Sequence, residues 1–180
     1  MRITREHSAA LVIDVQEKLF PHIHEHDELA VRTGILIRGL QVLGIPLHVT
    51  QQYSRGLGPT ISAVAELFET LKPIEKTAFS CCDEPRVIMA LEGSARENIL
   101  IAGIESHVCV LQTVVDLIER GYQPVVIEDC VSSRKLRDKQ TSIHRMRREG
   151  AVISSTESIL FELCRYSGTD EFRAISALVK

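Results

Sequence analysis

The chain has 180 residues, 21 basic and 24 acidic side chains, and an apolar fraction of 44%. That is enough for one sizeable core over residues 1–180 and too little for two ordinary domains. A formal charge of −3 exerts no global pull on nucleic acid or anionic membrane, and a charged fraction of 25% excludes a disordered chain. The five cysteines, Cys81, Cys82, Cys109, Cys130 and Cys164, are odd in number and irregularly spaced. They read as reduced thiols rather than a disulfide framework. The early apolar stretch over residues 9–13 is cut by Asp14, too short for an export signal or a bilayer span, so a cytoplasmic location is expected.

Short continuous apolar runs recur at residues 9–13, 45–50, 99–102, 125–127 and 151–153. None alternates polar with apolar, which predicts strands covered on both faces, as in a parallel sheet. A shorter strand is expected over residues 73–77, where Pro73 suits a strand start. Helical patterns lie between the runs. Leu29, Leu36, Leu40 and Leu43 share one face, ended by Gly44 and Pro46. Val108, Leu111, Val115 and Ile118 form a second face, and Leu136, Ile143 and Met146 a third. A last helix is expected from Asp170. This alternation predicts an α/β fold: three αβα layers around a central, mostly parallel sheet of Rossmann-like topology.

Ligands of such sheets bind beyond the carboxyl ends of the strands. Asp14, residues 51–53, Lys76, residues 105–109 and the pair Glu128 and Asp129 stand at or shortly after the ends of the predicted strands. An acid, a lysine and a thiol therefore converge on one rim. Cys109 falls near a helix N-terminus, where peptide NH groups lower a thiol's pKa, and a nearby Lys76 would act the same way. Asp14 would accept the thiol proton and return it to a leaving group. From position alone Cys109 reads equally as a nucleophile or as a small buried side chain. Asp14 ends a buried strand and needs a partner in either case.

The string Gly103-Ile104-Glu105-Ser106-His107-Val108-Cys109-Val110 resembles the nucleophile segment of the isochorismatase-like cysteine hydrolases. Leu11-Val12-Ile13-Asp14-Val15-Gln16 is similar to that family's first strand with its aspartate, and Glu75-Lys76-Thr77-Ala78-Phe79-Ser80 to its lysine segment. Residues 52–60 and 129–134 look most like the branch of isochorismatase domain-containing proteins. The resemblance runs from about Ser8 to the C-terminus, and three motifs in order at three strand ends make it specific. It implies a triad of Asp14, Lys76 and Cys109 that hydrolyses a small amide or similar acyl substrate through a thioester. It also implies a non-proline cis peptide at Ile104–Glu105, aiming the amides of Glu105 and Cys109 at an oxyanion. Nicotinamide-cleaving relatives bind a metal through an Asp-x-His motif after the second strand. Here residues 50–54 read Thr-Gln-Gln-Tyr-Ser, so no metal or other cofactor is expected. Relatives that cleave isochorismate generally lack the cysteine, so Cys109 favours an acyl substrate. A homo-oligomer is expected from the family's habit. The alternative is a non-catalytic binding or scaffold protein that retains the fold.

Other features read as structural. His22, His24 and His26 alternate beside two acids in what looks like a surface loop, and the adjacent Cys81 and Cys82 lack redox spacing. Gly56-Leu57-Gly58 lacks the third glycine of a dinucleotide site and suits a loop at the pocket mouth. Residues 134–148 hold seven basic side chains and one acid. With so few aromatics they read as a solvated face, so no nucleic-acid partner is expected. A small molecule is the expected ligand, with Phe20, Gln52, Tyr53, Phe79 and His107 as candidate pocket residues.

Overall fold

The computed structural model describes residues 2–180. Six strands form one sheet: β1 (Ser8–Ile13), β2 (Leu47–Gln52), β3 (Ile74–Lys76), β4 (Asn98–Ile104), β5 (Gln123–Ser132) and β6 (Val152–Ser154). Their order is β3-β2-β1-β4-β5-β6, and every pairing is parallel. The sheet is thus wholly parallel, where the apolar runs predicted it mostly so. All six residues of β1 and all seven of β4 are buried, as expected of strands with both faces covered.

The period of two along a strand divides the core. Ala9, Leu11 and Ile13 of β1 face α4 (Pro85–Ser94), α5 (Leu111–Glu119) and α6 (Leu136–Glu149), packing with Leu91, Val114, Leu117 and Met146. Ala10 points the other way, toward Leu36 and Leu40 of α1 (His26–Val42), Leu160 of α7 (Thr156–Cys164) and Ile175 of α8 (Asp170–Val179). Val12 and Val49 close a third cluster with Ile37 and Val64, the latter on the short α3 (Ser62–Ala65). One more short helix, α2 (Ser54–Leu57), follows β2.

Three differences from the sequence reading bear on the site. The second strand runs to Gln52, two residues beyond its apolar run, so Gln51 and Gln52 belong to the strand rather than to the loop after it. Strand β5 also runs on, with a bulge: its pairing with β4 jumps from Ile101↔Val126 to Gly103↔Val131. Glu128 and Asp129 therefore lie within a strand. Asp129 Oδ1 accepts from the Thr156 amide at 2.9 Å and hydroxyl at 3.0 Å, fixing the start of α7 instead of facing the rim.

The third difference concerns helical phase. Residues Ser106–Val110 form a π turn before α5. Its extra residue rotates the following face, so Val114 and Leu117 are buried with Val110 while Leu111, Val115 and Ile118 stay half-buried. Leu136, at the first residue of α6, is 45% exposed, and Ser142 joins Ile143 and Met146 on the buried side. The basic side chains of α6 project to solvent, and Arg145 pairs with Glu149. No helix among the described residues is long and apolar enough to cross a membrane.

Candidate active site

Chain order reverses direction between β1 and β4: successive strands step outward from β1 to one edge and from β4 to the other. At such a switch point the loops leaving the two strands part and open a crevice at their carboxyl ends. Asp14 leaves β1 there, and the turn carrying Cys109 leaves β4. The strands approach closely at this point. A Cβ on Gly103, whose φ is +127°, would lie 2.1 Å from the Ile13 carbonyl oxygen, so only glycine fits.

The three residues singled out from the sequence meet in this crevice. Lys76 Nζ donates to Asp14 Oδ2 at 2.6 Å, and both side chains are almost fully buried. The ammonium also reaches Gln52 Oε1 at 2.7 Å and the carbonyls of Ala78 and Phe79 at 3.1 Å each. Four acceptors surround three protons, so Lys76 is saturated by the protein and stands behind the carboxylate. Burial opposes its charge, but Asp14 together with the thiol groups of Cys81 and Cys109 outweighs it, and its pKa is raised. The other carboxylate oxygen, Oδ1, accepts from the Thr50 hydroxyl at 2.7 Å. Asp14 is itself in the left-handed region, φ 53°, which aspartate tolerates better than most residues.

Cys109 lines the same cavity as Asp14 and is 7% exposed. Its thiol is not a resting thiolate. Burial pushes its pKa up to about 12, with the Asp14 carboxylate adding to the rise both as a charge and as a hydrogen-bond acceptor, and Lys76 opposing. This corrects the expectation that helix N-terminus and lysine would depress it: desolvation and the Asp14 carboxylate outweigh the lysine. Beneath the turn, the Thr113 hydroxyl donates to the Cys109 carbonyl at 2.7 Å and accepts from the Cys81 amide at 2.9 Å. The Ile104–Glu105 peptide is cis, as the motif implies.

The cavity holds about 280 Å³ and is walled by Asp14, Cys109, Leu19, Leu57, Phe79 and Val108, with Gln52, Ile104, Glu105 and Arg134 completing it. Of the candidate pocket residues, Gln52 and Phe79 line it. Phe20, Tyr53 and His107 do not. The turn Phe20–His22 sends Leu19 to the cavity and sets Phe20 edge-on against the His26 ring, 5.3 Å between centroids. Tyr53 is 52% exposed and lies over Gly56, whose added Cβ would sit 2.5 Å from its ring. His107 turns to Ser133, Nδ1 to Oγ 2.9 Å, beside the buried contacts of Ser106 with Ser133 (2.5 Å) and Ser142 (3.1 Å).

Thr50, Gln16 and Arg134 are functional candidates that the sequence reading passed over. Arg134 sits just beyond the carboxyl end of β5, the same positional rule that singled out Asp14, whereas Thr50 lies inside β2. Gln16 is fully buried. Its amide donates to the carbonyls of Gln52 (3.0 Å) and Gly58 (2.7 Å) and its Oε1 accepts from the Gln52 amide (2.7 Å), clamping the loop that carries Leu57. The Gly56–Gly58 stretch thus does shape the cavity mouth. Cys81 is completely buried, its thiol held at about 12, and Cys130 packs against the Thr156 hydroxyl at 3.1 Å. Among the described residues no three His, Cys, Asp or Glu side chains group as metal ligands. His26 opens α1, while His24 pairs with Glu25.

The model of the isochorismatase domain family matches residues 8–158. Isochorismatase domain-containing protein 2A of Mus musculus is 32% identical over 180 residues, covering 99% of this chain and 85% of that protein. The solved structure of MAR1 ribonuclease from Caenorhabditis elegans is 36% identical with a TM-score of 0.93, covering 99% of this chain and 92% of that one. The octameric hydrolase of unknown specificity that is the Escherichia coli YcaC gene product also superposes with a TM-score of 0.93. At 21% identity, covering 99% and 89% of the two chains, it speaks for the fold alone. A family match over most of the chain, together with whole-length relatives above 30% identity, places this protein in the isochorismatase family, with that family's hydrolase fold.

Proposed function

We propose that the protein is a cysteine hydrolase that cleaves the C–N bond of a small amide, with Asp14, Lys76 and Cys109 as its working residues and no metal in the step. The observation that carries this reading is the placement of a buried, lysine-bound carboxylate against the one cysteine that opens on the cavity.

With a thiol pKa of about 12, only about one molecule in 10⁵ carries a thiolate at pH 7, so the nucleophile has to be made during attack. As sulfur bonds to the carbonyl carbon, its proton passes to Asp14. The carbonyl electrons move onto oxygen, where the backbone amides of Glu105 and Cys109 receive the charge. Asp14 then returns the proton to nitrogen, the C–N bond breaks, and ammonia or an amine leaves a thioester on Cys109. Water adds to the thioester with Asp14 taking its proton. The C–S bond breaks, sulfur regains a proton, and a carboxylic acid is released. Lys76, with its protons occupied, orients the carboxylate and keeps positive charge near the developing thiolate and oxyanion.

The test is ammonia release across a panel of small amides, with Cys109→Ala as control and intact-mass detection of the acyl-enzyme. The expected result is turnover that depends on Cys109, with an acyl adduct on that residue. Amide turnover that survives in Cys109→Ala, or iodoacetamide labelling of Cys81 or Cys82 with Cys109 untouched, would overturn the reading. Tight stoichiometric zinc in the purified protein would overturn its metal-free form.

A further inference from the structure

We propose that Cys81 is a resolving thiol for Cys109: when a small hydroperoxide oxidises the cavity cysteine, the two sulfurs close a reversible disulfide that blocks the nucleophile. In the sequence Cys81 reads as an inert thiol beside Cys82; the fold gives it another neighbour. One hydroxyl joins the two backbones, since Thr113 Oγ1 donates to the Cys109 carbonyl at 2.7 Å and accepts from the Cys81 amide at 2.9 Å. Adjacent backbones are what a disulfide needs if it is to close without large movement. The side chains converge on the same carboxylate. Cys109 hydrogen-bonds to Asp14. Cys81 Sγ lies 3.9 Å from the Thr50 hydroxyl, which donates to Asp14 Oδ1 at 2.7 Å. With the Thr50 proton committed to Asp14, Cys81 is the donor in its contact with Thr50. Both sulfurs also act on the Lys76 ammonium, Cys81 more than Cys109.

No other cysteine is so placed. Cys82 turns its thiol to the Thr113 carbonyl at 3.9 Å and toward Asp116 and Arg120, and Cys130 and Cys164 pack on the opposite face of the sheet. Access divides the two roles. Cys109 opens on the cavity, whereas Cys81 is completely buried behind it and meets only what Cys109 has become. Oxidation uses the proton path of amide attack. The Cys109 sulfur attacks the terminal oxygen of the hydroperoxide as its proton passes to Asp14. The O–O bond breaks and Asp14 returns the proton to the departing alkoxide, leaving a sulfenic acid and an alcohol. The Cys81 sulfur then attacks the Cys109 sulfur while its proton passes through the Thr50 hydroxyl to Asp14. The S–O bond breaks, and hydroxide takes that proton and leaves as water. In all, two thiols give up two electrons and two protons, and the hydroperoxide becomes an alcohol and water. Without the second thiol, Cys109 would go on to the sulfinic acid, which thiols do not reverse.

The test treats the full-length wild-type protein with hydrogen peroxide, alkylates the remaining thiols with iodoacetamide after denaturation, and maps unreduced peptides by mass. The expected result is an intact mass lower by two hydrogens, a linked Cys81–Cys109 peptide, and full return of Cys109 labelling after dithiothreitol. Cys81→Ala should instead carry Cys109 to the sulfinic acid, with labelling that dithiothreitol does not restore, and Cys81→Ser gives the same readout if the alanine protein fails to fold. Cys82→Ala should behave as the wild type. Sulfinic acid on wild-type Cys109 with no bridge, a bridge to Cys82, or full dithiothreitol recovery in Cys81→Ala overturns the proposal. The inference takes only the Asp14 and Cys109 pair from the hydrolase reading. A Cys81–Cys109 bridge in a protein that turns over no amide supports it while that reading fails. Amide turnover by a protein whose Cys109 never bridges refutes it alone.

Discussion

Asp14→Asn separates proton storage on sulfur from proton transfer. Asparagine keeps the side-chain shape and tolerates the positive φ of this position, so the change removes little beyond the charge. In the native site that charge helps hold the Cys109 thiol at about 12. A unit charge about 4 Å away at an effective dielectric of about 20 contributes at most about 4 kcal/mol, and burial, the larger cause of the rise, stays in the variant. Without it the thiol faces burial and Lys76 alone, so its pKa falls and its thiolate fraction at pH 8 rises. A less basic thiolate is also a poorer nucleophile, with a Brønsted slope of about 0.4–0.5, which offsets part of that gain. The second-order rate of iodoacetamide with Cys109, followed by peptide mass mapping, should therefore increase, by about threefold for each unit the pKa falls. Amide turnover should fall at least about a hundredfold in the same protein, because the base and acid are gone. If alkylation slows in step with turnover, the carboxylate is not what keeps the proton on sulfur, and the electrostatic account of the site fails.

Three further outcomes follow from the same contacts. Lys76→Met leaves the buried Asp14 carboxylate without its cation and strands Gln52 Oε1 and two carbonyls, so urea titration should show a loss of about 3–5 kcal/mol. The folded-state pKa of Lys76 is raised, so this difference should be fully present below pH 10.5 and shrink only as pH climbs past it; a loss under about 1 kcal/mol would refute the pairing. The thiols of Cys81, Cys109 and Cys130 are held at about 12 and that of Cys82 at about 11, against an ordinary 9.0. Their contribution is complete below pH 9 and lost as pH rises toward 11–12, since the unfolded chain gives up protons that the folded one keeps. Each thiol contributes a slope of roughly 1 kcal/mol per pH unit, so the urea midpoint should collapse steeply between pH 9 and 11, and Cys130→Ala should make the fall shallower. Gly103→Ala drives a methyl into the Ile13 backbone at a φ of +127°; a destabilisation of about 3 kcal/mol or more is expected, lowering the Tm by roughly 6–12 °C.

Continuous apolar runs over 9–13, 99–102 and 125–127 were enough to read strands buried on both faces, because a strand wetted on one side would alternate. The rule that loops beyond strand carboxyl ends carry ligands then picked out Asp14, Lys76 and Cys109 from position. Their neighbours in the chain also carried the family resemblance. Boundaries were less legible: β2 extends through polar Gln51 and Gln52 because they pair with Glu75 and Lys76 of β3 through the backbone, to which side-chain polarity is blind. The bulge in β5 likewise moves Asp129 from the rim to the start of α7.

What the sequence by itself determined is the alternation of elements and the kinds of chemical group at their ends, both properties of neighbouring residues. Only the tertiary structure decided the strand order that makes β1 and β4 adjacent, the choice of Leu19 over Phe20 for the cavity wall, and the contacts of Thr50 and Arg134. It also reversed the electrostatics of Cys109. Helix and lysine lower a thiol's pKa, whereas burial and a carboxylate raise it. Which prevails depends on distances and solvent access across segments some 95 residues apart, and those exist only once the chain has folded.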